Sequence, residues 1–271
     1  MQKSSPLIVL TGPSTEMSDY YGNHIFPFAA GFSKPWFMPR FYLKKNFFKP
    51  VPSNSLEVAL APLGLRKLEA DLVKSGFKPD DVVVVHPDDL EKAVGPDTKV
   101  IGISAKDPLG LGYVSLTYSS VLDLGEPINK LEFERLMKDA ERVKQRHGAK
   151  IIVGGPGSWQ LLRPEAKGLF GVDCVFMGEG EISGPDVFRR LVNGHNGFEV
   201  VEGKQASVSD ISSIMRPSIY GAVEISRGCG RGCAFCSPTM RKRRFIPVEN
   251  VMREVELNVK SGWHDVLLVT E

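Results

Sequence analysis

The chain has 271 residues, of which 42% are hydrophobic and 24% charged, with 34 basic against 32 acidic side chains. That composition suits a globular protein of one large or two ordinary domains and excludes a disordered chain. A net charge of +2 offers no electrostatic footprint for nucleic acid or a membrane surface, and no apolar run approaches the ~20 residues that span a bilayer.

The start, Met1 to Pro6, runs straight into Leu7-Ile8-Val9-Leu10-Thr11, too short for a signal sequence. A cytoplasmic protein is expected. That apolar run reads as a buried strand closed by Gly12-Pro13. The stretch 12–61 is long and irregular, with Tyr20, Tyr21, Phe26, Phe28, Phe32, Trp36, Phe37, Phe41, Tyr42, Phe47 and Phe48. Such a density of aromatics argues against disorder, and hydrophobic packing is its expected role. Leu63 to Lys74 has helical periodicity, with Leu65, Leu68, Leu72 and Val73 on one side and Gly76 as a stop.

Val82-Val83-Val84-Val85 and Val100-Ile101-Gly102-Ile103 are β-branched runs without alternation, the mark of strands buried on both faces of a parallel sheet. Leu131 to Arg146 is an amphipathic helix. Ile151-Ile152-Val153 precedes Gly154-Gly155-Pro156-Gly157. Val172 to Met177 precedes Gly178-Glu179-Gly180-Glu181, and a short helix covers Val187 to Val192. Strands alternating with helices predict an α/β fold with a doubly wound, Rossmann-like parallel sheet. Its glycine-rich strand ends lack the G-x-G-x-x-G spacing of a dinucleotide site.

This first domain is expected over 1–205, followed by a polar linker over 206–220. A second unit then begins with a strand at Gly221 to Ser226. A helix opened by Pro247 and closed by Gly262 and a strand at Val266 to Val269 complete a βαβ unit. Too little chain follows for a whole barrel, so the sequence reads as the front part of a longer protein.

Between the first strand and the helix of that unit lies Arg227-Gly228-Cys229-Gly230-Arg231-Gly232-Cys233-Ala234-Phe235-Cys236. Three thiolates fall one short of a closed metal site, and open coordination points to chemistry. Gly228, Gly230 and Gly232 would let the loop wrap an inorganic core, and Arg227 and Arg231 could offset its charge. A zinc knuckle competes, but zinc wants a fourth Cys or His nearby, and the nearest downstream histidine, His264, follows a predicted helix. The fourth cysteine, Cys174, sits in an apolar strand and reads as core. Arg241-Lys242-Arg243-Arg244 could grip an anion, although a solvated face is as good a reading.

The C-x-x-x-C-x-x-C spacing after a strand, with Phe235 before the third cysteine and Arg243-Arg244-Phe245 downstream, resembles the radical S-adenosylmethionine (SAM) family. The resemblance implies that Cys229, Cys233 and Cys236 hold a [4Fe-4S] cluster and that SAM chelates the free iron. It implies SAM contacts at Phe235 and Glu271, an electron donor such as flavodoxin or ferredoxin, and residues 221–271 as the first part of a partial βα barrel. Val269-Thr270-Glu271 lacks the glycines the family often has there.

Val100 to Ser104, Gly154-Gly155-Pro156 and Gly178-Glu179-Gly180-Glu181 resemble the cobalamin-binding domain of one radical SAM subclass. That implies cofactor contacts at Gly154, Gly155 and Gly178, with 12–61 as an insertion of no family counterpart. No Asp-x-His-x-x-Gly follows the first strand. Asp107 to Gly112 has the Asp and Gly spacing with Leu109 in the histidine position. Cobalamin and a domain that kept its fold without the cofactor both stay open. The expected function is reductive cleavage of SAM to start radical chemistry on a small-molecule or unknown substrate, with cobalamin-dependent methyl transfer as its finer form. The alternatives are a radical SAM enzyme without cobalamin and a non-catalytic cofactor-binding module, and this stretch alone is expected to be inactive.

Overall fold

The computed structural model describes residues 5–166, 169–195, 197, 199–234 and 242–270. Strand β1 (Ile8–Thr11) leads into the 12–61 segment, which holds helix α1 (Arg40–Asn46) and a small hairpin of β2 (Ser53–Asn54) and β3 (Glu57–Val58). Then follow α2 (Leu63–Lys74), β4 (Val82–Val84), α3 (Leu90–Ala93), β5 (Val100–Ser104), α4 (Tyr113–Leu116), α5 (Ile128–His147) and β6 (Lys150–Gly154). The first sheet is completed by β7 (Cys174–Met177), α6 (Gly180–Val192) and β8 (Glu199–Glu202). The remaining elements are β9 (Val223–Arg227), β10 (Arg244–Phe245), α7 (Val248–Lys260) and β11 (Leu268–Thr270).

Six strands form a parallel sheet in the order β4-β1-β5-β6-β7-β8. All but the edge strand β8 read as largely apolar runs because both faces are covered. Ile8, Leu10, Val82, Val100, Ile152 and Phe176 face one layer with Leu65 and Leu72 of α2 and Phe188 of α6. Val9, Ile101, Ile103, Ile151 and Val175 face the other with Phe133, Met137 and Val143 of α5. Gly148, at φ +75°, ends α5 in the left-handed conformation that a Cβ disfavours.

The order places β4 and β5 on opposite sides of β1. The sheet therefore has a switch point between β1 and β5, where open α/β folds usually hold ligands. A second sheet runs β10-β9-β11, with β11 parallel and β10 antiparallel to β9. With α7 between them, β9 and β11 form the expected βαβ unit.

The segment 206–220, expected as a polar linker, is well packed. Ala206, Ile211, Ile214 and Ser218 are buried. Lys67 of α2 donates to the Ser212 carbonyl and forms a buried 2.5 Å pair with Glu254 of α7. Its side chains are polar on average, but its backbone carbonyls and amides serve as partners for charges buried from both sides.

Among the described residues, no helix is long and apolar enough to cross a membrane.

Candidate functional site

Arg227 is the last residue of β9, and the cysteine loop leaves from it. Gly228, Gly230 and Gly232 have φ of +79°, +77° and +67°, so the loop alternates through a region that L side chains rarely adopt. Among the described residues, a Cβ at Gly232 would meet nothing and one at Gly230 only the Arg243 Cβ at 3.6 Å. Conformation, not crowding among the described residues, demands Gly230 and Gly232. Cys229 is exposed and Cys233 partly so, both as free thiols. Phe235, Cys236 and Glu271, expected as ligand or SAM contacts, lie outside the described residues, as does Arg241. Among the described residues no group of three His, Cys, Asp or Glu side chains is gathered to hold a metal. The donor chemistry still fits an iron–sulfur group: two accessible soft thiols on a glycine-hinged loop, with a third cysteine in sequence.

The base of the loop is built from charge. Arg244 of β10 pairs directly with Arg227 of β9, and both are buried. Like charges opposite one another on neighbouring strands repel, so carboxylates must stand between them. Glu179 forks Arg244 through two 2.7 Å bonds, and its Oε2 also accepts from Arg227 at 3.2 Å and from the Ala206 amide at 3.0 Å. Glu181 accepts from Arg227 at 2.5 Å. Glu224 forks Arg227 at 2.7 and 3.0 Å. Three residues apart on a strand, Glu224 and Arg227 would ordinarily face opposite ways. The register of β11 on β9 skips Ile225, and this irregularity lets them share a side.

Burial works to raise the Glu179 carboxyl, but the Arg244 fork, the Ala206 amide and the charges of Arg227 and Arg244 hold it below its ordinary value. Burial likewise disfavours the Arg227 cation, and Glu224 and Glu181 overcome it and push its pKa up. Arg227 was expected to offset thiolate charge; its guanidinium is instead committed to three carboxylates. Nor does Arg244 form part of a solvated run. Arg243, beside it, lies over the Phe245 ring at 5.0 Å.

Sequence reasoning singled out Glu179-Gly180-Glu181 for its glycines and missed its acids. Gly178 does make the turn out of β7, at φ +81°, and the acids it delivers are the side chains that reach the cysteine loop.

The other expected cofactor positions lie at the carboxyl edge of the first sheet. Gly155 has φ +90°, and a Cβ there would meet the Ser104 Oγ at 2.8 Å and the Ala105 N and O at 2.9 Å. At Gly157 a Cβ would meet the Lys106 O at 2.4 Å. These glycines let the loops after β5 and β6 pack backbone against backbone, tied by Gly157 N–H to the Ala105 carbonyl at 2.9 Å. Gly154 has only ordinary contacts with Phe176.

At the switch point the crevice is filled by the chain itself. Ser14, Thr15, Met17, Ser18 and Tyr20 are buried there. The Glu16 carboxylate accepts from the Lys106 amide at 2.7 Å, and the Tyr20 hydroxyl donates to the Thr15 carbonyl at 2.7 Å. Arg40 of α1 forks Glu132 of α5 through two 2.7 Å bonds and reaches Ser14 at 3.3 Å. Burial raises the Glu16 carboxyl to about 7 against the pull of Lys106. The residues present at this crevice do not fit a large corrin ring. Asp107 closes its own loop on Gly112, Ser115 and Gln160, in keeping with a coincidental Asp–Gly spacing.

Part of the aromatic segment packs as expected. Tyr20, Leu43, Phe48 and Ile128 form a small core of their own. Trp36 is 92% exposed, however, and Ile25, Phe28, Phe37 and Phe41 also face solvent.

No family model matches the chain. Among curated proteins it is similar to ribosomal protein uS12 methylthiotransferases RimO. The Petrotoga mobilis protein is 30% identical over 116 residues, which are 40% of this chain and 23% of the relative. The Pelodictyon phaeoclathratiforme protein is 38% identical over 64 residues, 23% of this chain and 15% of the relative. The Thermotoga petrophila protein is 43% identical over 54 residues, 19% and 13% respectively. The similarity supports the radical SAM superfamily. The chain spans less than a quarter of the length of these relatives. A solved structure of the apo, selenomethionine-labelled cobalamin-dependent S-adenosylmethionine radical enzyme OxsB aligns over 99% of this chain and 34% of that one, with 14% identity and a TM-score of 0.43.

Proposed function

We propose that Cys229, Cys233 and Cys236 hold a [4Fe-4S] cluster, and that the whole protein is a radical SAM enzyme. One observation carries this reading: cysteines in C-x-x-x-C-x-x-C spacing at the carboxyl end of a βαβ strand, with both described thiols free and accessible. When bound, such a cluster supplies the electron that cleaves the sulfonium of SAM. The chain's own part is to present thiolates on a loop fixed at both ends. The glycines allow the curvature, and Arg227 and Arg244 anchor its two stems in β9 and β10. Phe235 and Glu271 are proposed SAM contacts, and a flavodoxin or ferredoxin the electron source.

Anaerobic reconstitution of the chain with iron and sulfide tests the reading. The thiolate-to-iron charge-transfer absorption is expected in the wild type and is expected to be lost in Cys229→Ala and Cys233→Ala. Unchanged iron content in both variants would sink the proposal.

For the first sheet we favour the reading without cobalamin at the switch point, because residues 14–20 fill the crevice. No saturable spectral change is expected on anaerobic titration with hydroxocobalamin. Saturable binding would restore cobalamin-dependent methyl transfer as the finer function.

A further inference from the structure

The cysteine loop is held by side chains from a distant part of the chain. Its two stems, Arg227 and Arg244, are cross-strand partners of like charge. The acids that reconcile them come largely from the turn between β7 and α6, 46 to 65 residues away in sequence. Glu179 touches both arginines, and Glu181 touches Arg227. Their side chains, and those of Arg227, Arg244 and Glu224, are all at most 9% exposed. Around two guanidinium groups stand three carboxylates, and the Glu181 Oε2 is buried with no hydrogen-bond partner among the described residues.

A hydrophobic contact could have joined the two sheets at lower cost, because buried ion pairs bring little net stability over apolar packing. What such a network does provide is fixed geometry and a fixed field. A bidentate fork sets direction as well as distance. The potential and spectrum of an iron–sulfur group respond to the charges and hydrogen bonds around its loop. The turn itself is rigidly seated. A Cβ at Gly203 would meet the Glu179 carbonyl at 2.1 Å, so the chain after β8 lies directly against it.

We propose that Glu179 is a positioning residue for the cysteine loop, holding Arg227 and Arg244 so that the first sheet sets the geometry and electrostatics of the thiolates carried by the second. The inference rests on the cluster reading above. It makes the Glu179-Gly180-Glu181 turn an electrostatic bracket for the loop, in place of the cofactor-contacting turn expected from its glycines.

Glu179→Gln keeps the shape and removes one negative charge between two arginines. After reconstitution of the full chain, the expected result is a cluster that still depends on Cys229, with altered electron paramagnetic resonance g-values and a midpoint potential shifted in the positive direction. Glu132→Gln, which breaks the comparable Arg40 fork at the switch point, is expected to leave both readouts at wild-type values. Glu179→Asp is expected to return them partway.

Wild-type g-values and potential in Glu179→Gln would overturn the inference. Should that variant not fold, Glu181→Gln loses a single contact to Arg227 and is measured in the same two ways; wild-type values there overturn the inference equally. Failure of the cluster reading looks different: Cys229→Ala would retain its iron. Even then, alkylation rates of Cys229 and Cys233 in the iron-free chain report the loop's position. A wild-type rate in Glu179→Gln would reject the bracket on its own.

Discussion

Two strand ends in this molecule have opposite characters. At the carboxyl end of β1, where a doubly wound sheet ordinarily opens to a ligand, the chain folds back and fills the space with Ser14, Thr15, Met17 and Tyr20. At the carboxyl end of β9 the chain leaves the described thiols, Cys229 and Cys233, accessible and buries the charges beneath them. A glycine at the first place allows backbone to meet backbone, as at Gly12, where a Cβ would meet the Ser104 carbonyl at 3.0 Å; at the second it allows a left-handed turn with no described atom in its way, as at Gly232. The same residue type therefore marks a closed edge in one sheet and a presented loop in the other. Position at a strand end does not by itself make a site; what the following residues do with the space decides it.

The contrast can be broken most sharply through the cysteines. Burial pushes the Cys174 thiol up to about 12, whereas Cys229 is exposed. Alkylation of the iron-free native chain is expected to modify Cys229 and Cys233 well before Cys174, which is buried and held as the thiol. Peptide mapping at timed quenches measures this, and comparable rates would remove the distinction between presented and core thiols.

The closed edge is tested next by Phe48→Ala, which opens a cavity in the small core beneath the 12–61 segment. A loss of about 3–5 kcal/mol in denaturant unfolding is expected. A loss below about 1 kcal/mol would mean that the segment is not a packed cover.

Glu16 gives a pH signature of the same closure. Its folded pKa, about 7, lies above the ordinary carboxylate value near 4.3. Between those values the folded chain keeps a proton that the unfolded chain has lost, so stability falls as pH rises through this window. Asp71, raised by burial to about 7, adds a slope of the same sign. His86, lowered by burial to about 4, acts oppositely, because its neutral folded form loses stability as pH falls from about 6.5 to about 4. Glu16→Gln is expected to remove up to about 3 kcal/mol of the difference between pH 4.5 and pH 7.5. Identical pH profiles for variant and wild type would show that Glu16 is solvated.

The smallest expected effect is that of Gly155→Ala, about 1–3 kcal/mol of destabilisation from a left-handed φ and a Cβ set against Ser104 and Ala105. It is expected without any cofactor present, and a neutral thermal melt would reopen the glycine as part of a binding surface.

Much of the fold was legible because buried parallel strands announce themselves as β-branched runs, and α2 follows its leucine periodicity from Leu63 to Lys74. Edge elements were harder. Strand β8, Glu199–Glu202, alternates between half-buried and exposed and carries a glutamate at each end, so its sequence resembles a loop. Helix α5 begins at Ile128, ahead of the predicted Leu131, because Pro127 fixes the turn that precedes it.

In the candidate site, the cysteine spacing is local and could be read directly. The acids beneath it could not, because Glu179 meets Arg227 and Arg244 only after two sheets have come together. The curled 12–61 segment was opaque for the same reason: its partners, such as Glu132 for Arg40, lie 92 residues away.

The buried Lys67–Glu254 pair has a consequence for how the molecule comes apart. Lys67 belongs to the helix layer of the first sheet and Glu254 to the βαβ unit, and their side chains are 7% and 2% exposed. Separating the sheets would leave each buried charge without its partner until water replaced it. The boundary that topology draws near residue 205 is therefore poorly suited to act as a hinge, and both sheets are expected to melt in a single cooperative transition.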